Sequence, residues 1–282
     1  MFLQKSLVTG LMLAGLVMAQ SANAGAIRAD AFFGDNTLAP NDDGSTGLVN
    51  LGFTANFFGL NFTQTYVNNN GNITFDNSLS TYTPFDLTST GRRIIAPFFA
   101  DVDTRNAGSP VTYGTGTVDG RNAFGVNWVN VDYYLSSPNH INRNSFQLVL
   151  IDRSDIGLGD FDIEFNFDQI QWETGMAASS GGDANGLGGN CARSGFSNGT
   201  GDAGSFYEIA GSAVCGSFLD SNMADGLIYN SLNSIVDGRY IFEARSGEVV
   251  TPPPPRGDVP EPATLALLGL GLAGLGAARR KK

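Results

Sequence analysis

Residues 161–168 alternate between large apolar and polar side chains, and this pattern constrains the fold more than any other feature. The run reads Phe161, Asp162, Ile163, Glu164, Phe165, Asn166, Phe167, Asp168. A period of two places the apolar set on one face of a β-strand and the polar set on the other. The sequence therefore predicts a strand with one buried and one solvent-exposed face. No segment shows a comparable helical periodicity.

Further strand-like runs are spread along the chain. They are Phe53 to Phe58, Asn72 to Phe75, Arg92 to Phe99, Ser145 to Ile151 and Arg239 to Ala244. Turn-forming residues recur about every ten positions, which is typical of a β-sandwich. The prediction is a single all-β domain over residues 25–248, an antiparallel β-sandwich-like fold.

Three local patterns refine this prediction. Asp119-Gly120 lies between two strand-like runs and predicts a tight hairpin turn, because both residue types tolerate a positive φ. The apolar phase slips by one residue near Trp128, which predicts a β-bulge. The segment 177–189 is rich in Gly, Ser and Ala and predicts a loop.

The N-terminus has the layout of a secretory signal peptide. Lys5 precedes an apolar run, and Ala22 and Ala24 stand before Gly25, as signal peptidase requires. Residues 1–24 are thus predicted to be removed by signal peptidase between Ala24 and Gly25. An N-terminal membrane anchor is the alternative, which the short apolar run disfavours.

The C-terminus combines a spacer, a short apolar segment and a basic end. A proline-rich spacer (249–259) leads to Pro260-Glu261-Pro262, and the apolar segment 263–278 ends in Arg279, Arg280, Lys281 and Lys282. At about 1.5 Å per residue the segment reaches roughly 24 Å, just short of a ~30 Å hydrocarbon core. The four cations would hold that end on the cytoplasmic side.

Residues 260–282 resemble the PEP-CTERM sorting signal of Gram-negative bacteria. The resemblance implies a transient inner-membrane precursor that an exosortase processes near Pro260-Glu261-Pro262. The protein would then be delivered to the cell surface or the extracellular matrix. A permanent single-span anchor is the alternative.

The charge and the cysteines narrow the function classes. A formal net charge of −11 and a pI of about 4.4 exclude nucleic acid as a partner, because phosphate backbones require clustered cations.

Cys191 and Cys215 are the two cysteines of the chain. In an oxidising compartment they predict a disulfide, since zinc would need more ligands than two Cys and His140.

Several blocks of the domain resemble the nidogen-like (NIDO) domain of nidogen and alpha-tectorin over about residues 50–245. The specific blocks are Tyr66 to Phe75 and Ile94 to Arg105, followed by the weaker blocks Asn144 to Leu150, Ile170 to Gly175, Ala192 to Phe196 and Gly211-Ser212. The resemblance implies an extracellular, non-catalytic module of cell-to-matrix adhesion.

Two polar motifs are candidates for binding. The run Asn68 to Asn72 is interpreted as a hairpin turn, because Asn and Gly populate left-handed backbone readily. Asp101 and Asp103 end a hydrophobic strand with Asn106 close by, and these oxygen ligands would suit calcium. A solvated strand end, or an ion pair with Arg105, is the competing interpretation. No cofactor is required.

The sequence thus favours a secreted, exosortase-processed surface or matrix protein, in which an adhesion module contacts extracellular polysaccharide or a surface protein. The setting would be cell–matrix or biofilm association. A structural envelope component without a specific ligand is the alternative. A carbohydrate-active enzyme is the third hypothesis, since glycoside hydrolysis needs only two carboxylates. Nothing singles out such a pair, and the prediction is that the protein is not an enzyme.

Overall fold

The computed structural model describes residues 25–29, 33–105, 108–135 and 141–251. Strands follow one another along these residues, and a short 3-10 turn lies at Leu227–Tyr229. The strands are β1 (Asn36–Thr37), β2 (Val49–Phe57), β3 (Leu60–Asn68), β4 (Asn72–Thr74), β5 (Arg93–Phe99), β6 (Val102–Asp103), β7 (Thr112–Val118), β8 (Arg121–Tyr133), β9 (Asn144–Asp152), β10 (Phe161–Ile170), β11 (Arg193–Asn198), β12 (Phe206–Glu208), β13 (Arg239–Arg245) and β14 (Glu248–Val250). The all-β prediction is confirmed.

The strands form two antiparallel sheets. One has the order β1-β7-β8-β9-β10-β13-β14, with β6 paired to β8, and the other has the order β12-β11-β5-β4-β3-β2. Aromatic pairs join the sheets, with ring centroids 5.2 Å apart for Phe98 and Phe146 and 5.3 Å apart for Phe196 and Phe242. The arrangement is that of a sandwich, in which the inner faces of both sheets share one apolar core.

The predicted local features of the large sheet are present. Asp119 and Gly120 have φ angles of 50° and 78° and join β7 to β8 as a two-residue hairpin turn. The register of β8 on β9 shifts between Trp128 and Val131, so the predicted bulge is confirmed. It lets Trp128 and Val131 both face the core, where each is 0% exposed.

The polar face of β10 departs from the prediction. Glu164 and Asn166 are 0% exposed, although the alternating pattern predicts that they face solvent. Residues 25–29, which we call the N-terminal strap, cover them: Arg28 donates to both oxygens of Glu164 at 2.7 and 2.9 Å. The prediction was wrong because the strap lies far away in sequence and brings its own hydrogen-bonding partners.

No helix among the described residues has the length and apolar composition needed to cross a membrane. The predicted membrane segment 263–278, the rest of the sorting signal and the signal peptide lie outside the described residues. His140 and Asn106 also lie outside them.

Gly71 lies in the β3–β4 turn and tests how closely this turn packs against the backbone of Phe98. Its φ is 73°, and a Cβ there would lie 1.7 Å from the carbonyl oxygen of Phe98. We expect Gly71→Ala to lower the free energy of unfolding by about 3 kcal/mol or more, because backbone must move in a close-packed core. Denaturant unfolding measures the loss.

Gly59→Ala is the matched control. Gly59 has a similar φ of 83°, but among the described residues no atom beyond its chain neighbours lies within 4 Å of the position that a Cβ would take. Its cost should therefore be limited to left-handed strain, about 1–2 kcal/mol. Equal losses in the free energy of unfolding of the two variants would show that the crowding at Gly71 does not contribute to the cost.

Candidate acidic pocket

Three carboxylates converge on a small cavity at one end of the sandwich. The cavity has a volume of about 210 Å³ and is lined by Asp42, Asp43, Tyr82, Asp101, Tyr134 and Ala177. One carboxylate oxygen from each of the three aspartates lies within 4.8 Å of the others. Oxygen ligands bind calcium at about 2.3–2.6 Å, so two oxygens on opposite sides of one ion are about 4.8 Å apart. We call this cluster of Asp42, Asp43 and Asp101 the acidic pocket.

The turn between β3 and β4 holds the pocket in place. Asn69 and Asn70 are 0% exposed, although asparagine is usually found at the surface. The amide of Asn70 donates to Asp43 Oδ1 at 2.8 Å, and its oxygen accepts from the Val102 backbone at 2.9 Å. The two aspartate-bearing segments are thereby tied to a single turn.

Asn69 fixes the same segments through their backbone. Its amide donates to the carbonyl oxygens of Asp42 and Val102. Its own carbonyl accepts from Trp128 Nε1 at 2.9 Å. The hairpin-turn interpretation of Asn68 to Asn72 agrees with this geometry, and the turn also serves as the scaffold of the pocket.

Asp101 is the most deeply buried of the three carboxylates, at 2% exposure. It accepts a hydrogen bond from Ser180 Oγ at 3.1 Å, which comes from the predicted 177–189 loop. A side chain on Gly175 would collide with its Oδ2. The 177–189 loop and the lack of a side chain at Gly175 therefore make room for the Asp101 carboxylate inside the fold.

Burial without full pairing perturbs these acids. Desolvation raises the pKa of Asp101 to about 7 and that of Asp42 to about 6, and the neighbouring carboxylates add to both shifts. Desolvation also raises the pKa of Asp43. Within the described residues, Asp42 Oδ1 is buried and has no hydrogen-bond partner. A cation in the pocket would relieve both the repulsion and this unmet hydrogen-bonding capacity.

The predicted calcium ligands are distributed differently. Asp101 lies in the pocket, but both oxygens of Asp103 accept hydrogen bonds from the Arg105 guanidinium, at 3.0 and 2.8 Å. Arg105 also pairs with Asp42 Oδ2 at 3.0 Å. The competing interpretation of Asp103 as an ion-pair partner of Arg105 thus matches the geometry, while Asn106 is outside the described residues.

Sequence reasoning missed Asp42 and Asp43. The only local signal was the dipeptide itself, followed by Gly44 in a polar stretch. Their approach to Asp101 depends on tertiary contacts made by Asn69 and Asn70. A spacing rule along the sequence does not contain that information.

Cys191 and Cys215 form the predicted disulfide, with a Cα–Cα distance of 5.3 Å. Glu173 lies beside them, but both of its oxygens accept from the Gly216 backbone, at 3.0 and 2.8 Å. Sulfurs bonded to each other are not metal ligands, so this group is structural. The bridge closes the chain just after the 177–189 loop, which supplies Ser180 to the acidic pocket.

Of the predicted signal-peptidase residues, only Gly25 is described, and it lies beside Asp168. Ala22 and Ala24 lie outside the described residues. The same is true of the sorting-signal residues Pro260, Glu261, Pro262, Arg279, Arg280, Lys281 and Lys282.

Comparison with known proteins gives two family matches. Residues 63–246 match the nidogen-like domain, and residues 258–281 match the PEP-CTERM protein-sorting motif. Alpha-tectorin of Mus musculus is 37% identical over 242 residues, which covers 77% of this chain and 10% of that protein. The Homo sapiens and Gallus gallus alpha-tectorins are 36% and 32% identical and cover 77% and 84% of this chain. No solved structure matches.

The chain spans about a tenth of the length of these curated relatives. The similarity therefore concerns one domain of a much longer protein. The two family matches together indicate an exported protein of the cell surface or extracellular space.

The raised pKa values predict a pH dependence of stability. In the unfolded chain both acids titrate near pH 4. Since the folded chain keeps their protons up to about pH 6 for Asp42 and about pH 7 for Asp101, the free energy of unfolding should fall as pH rises from 4 to 7. In chelated buffer, Asp101→Asn should remove much of this fall and raise the free energy of unfolding at pH 7 by about 2–4 kcal/mol.

Urea unfolding at intervals between pH 4 and 8 measures the slope. Asp202→Asn, on an exposed residue outside the pocket, is the control and should leave the slope unchanged. A pH slope that is the same in Asp101→Asn and in the parent protein would contradict the assignment of the raised pKa.

Proposed function

This chain belongs to the nidogen-like domain family, and from that premise we propose that it is a surface or extracellular-matrix protein that holds cells to matrix or exopolysaccharide. The observation that carries the proposal is the pairing of an adhesion-type domain with a protein-sorting motif in one chain. The proposed ligand is an extracellular polysaccharide or a surface protein. The family resemblance implies a non-catalytic role, and the proposal contains no catalytic step.

The proposed route begins with signal peptidase, which cleaves between Ala24 and Gly25. A transient precursor is then held in the inner membrane of a Gram-negative bacterium by the segment 263–278. Exosortase removes this tail near Pro260-Glu261-Pro262. The match of residues 258–281 to the sorting motif supports the exosortase step.

We further propose that calcium binds in the acidic pocket. Three observations support it: the convergence of Asp42, Asp43 and Asp101, the buried Asp42 Oδ1 that finds no hydrogen-bond partner among the described residues, and the raised pKa of all three acids. Hard carboxylate oxygens suit calcium. The bound ion would stabilise the loops at this end of the sandwich. Many copies of the domain on one cell surface would act together, so that contacts with the ligand that are weak in each copy become effective.

Thermal unfolding tests the calcium site. For a Kd of about 10⁻⁴ M, typical of extracellular modules, ~10 mM calcium should raise Tm by about 5–8 °C. Asp101→Asn should lose most of this shift, and the control Asp202→Asn should keep it. An equal calcium shift in parent and Asp101→Asn protein would place the ion elsewhere.

Cell cohesion tests the adhesion role. We expect a strain whose protein lacks residues 25–248 but retains signal peptide and tail to show reduced aggregation and biofilm cohesion. The matched control is the wild-type gene at the same locus and export level. Unchanged cohesion would contradict adhesion and favour a structural component without a specific ligand.

The sorting step is tested by mass. The secreted protein should lack residues 265–282, and replacement of Pro260, Glu261 and Pro262 by alanine should leave the precursor in the membrane fraction. A secreted protein that retains the tail would contradict exosortase processing while leaving the adhesion test intact.

A further inference from the structure

The N-terminal strap, residues 25–29, is an integral part of the sandwich. It lies on the outer face of the eight-stranded sheet, where Ala26 is 2% exposed. Gln147 of β9 binds the Arg28 backbone on both sides, accepting from its N–H at 3.1 Å and donating to its carbonyl at 2.8 Å. A segment held in this way behaves as an added layer of the fold.

The strap also balances a buried charge. Glu164 is 0% exposed and receives two hydrogen bonds from the Arg28 guanidinium. The Nε of Arg239 lies 3.5 Å from Oε1 of the same carboxylate. The Nη2 of Arg239 donates to the carbonyl oxygen of Ala26. Among the described residues, loss of Arg28 would leave Glu164 with the Asn166 amide and the more distant Arg239 guanidinium, and a buried carboxylate that loses a partner is costly.

The first residue of the N-terminal strap, Gly25, lies beside the carboxylate of Asp168. Asp168 is the extra residue of a bulge in β10, where the register on β9 shifts between Phe167 and Gln169. Its Oδ1 accepts from the Ile27 backbone at 3.1 Å. A Cβ on Gly25 would lie only 2.5 Å from its Oδ2, so the first residue after the proposed cleavage site lies directly against the carboxylate.

A cavity of about 350 Å³ opens at the same place. It is lined by Gly25, Ala26, Phe167, Asp168, Ile228, Tyr229 and Asp237. Two carboxylates beside apolar side chains are suited to a primary ammonium group. Among the described residues, the titratable groups of the lining are Asp168, Asp237 and Tyr229, and the nearby cations are Arg28 on the strap and Arg239, which donates to the Ala26 carbonyl.

We propose that this cavity is the receptor for the chain's own α-ammonium, released when signal peptidase hydrolyses the Ala24–Gly25 bond. Water adds across the amide, leaving a carboxylate on Ala24 and a protonated amine on Gly25. That amine pairs with Asp168 and secures the start of the strap. The inference rests on the proposed cleavage site and is independent of the adhesion role.

The pairing of the Gly25 α-ammonium with Asp168 predicts a pH dependence of stability. A free α-amino group titrates near pH 7.7–8.0, and a neighbouring carboxylate raises its pKa in the folded state. The stabilisation is therefore fully present below about pH 7.7 and is lost as pH rises through the folded-state pKa.

The test compares two chains that both end at Lys282, in detergent. One begins at Gly25 after removal of a fusion partner that leaves no extra residue, and the other retains Ala22-Asn23-Ala24 ahead of Gly25. At about pH 6.5 we expect the extended chain to melt about 1–3 °C lower. The difference should vanish by about pH 10, where both amines are neutral, and in Asp168→Asn versions of both chains.

Equal melting temperatures at the lower pH, or a difference that persists in Asp168→Asn, would overturn the pairing. Arg28→Ala measures the strap separately and should destabilise both chains alike. N-terminal sequencing of the exported protein completes the test, because any start other than Gly25 removes the proposed amine from the cavity. None of these results depends on cell cohesion or calcium.

Discussion

The buried asparagine turn at Asn69 and Asn70 is the constraint on which the geometry of the acidic pocket depends. Amide groups at 0% exposure must find hydrogen-bond partners, and here they find them in the backbone of Asp42 and Val102 and in the side chain of Asp43. Three segments that are distant in sequence are thereby held in one arrangement. Because the two amides are fully buried, they fix where the carboxylates lie and leave them little freedom to separate.

The same arrangement has an electrostatic cost. Asp101 lies at 2% exposure beside two further carboxylates, and Arg105 divides its guanidinium between Asp42 and Asp103. Negative charge therefore stays in excess in the pocket, and burial together with this repulsion raises the pKa of Asp42 and Asp101. A divalent cation would remove that cost, so an ion would stabilise the turn, the 177–189 loop and the surface around them together.

Local sequence patterns predicted much of the sandwich. The alternation in β10, the Asp119-Gly120 turn and the Trp128 bulge each follow from backbone and side-chain periodicity within a few residues. The burial of Glu164 did not follow, because its partner Arg28 is 136 residues away. The acidic pocket was predicted only in part: Asp101 was named, but Asp42 and Asp43 reach it through tertiary hydrogen bonds that no spacing rule contains.

The most direct test of the adhesion role is binding of the exported protein to the extracellular polymer of the cells that produce it, measured with calcium and with a chelator. We predict saturable binding in calcium, weakened by about tenfold or more by chelation and by Asp101→Asn, with Asp202→Asn binding like the parent protein. Saturable binding of equal affinity with calcium and with chelator would separate adhesion from the acidic pocket. Absence of saturable binding under both conditions would contradict the adhesion role itself.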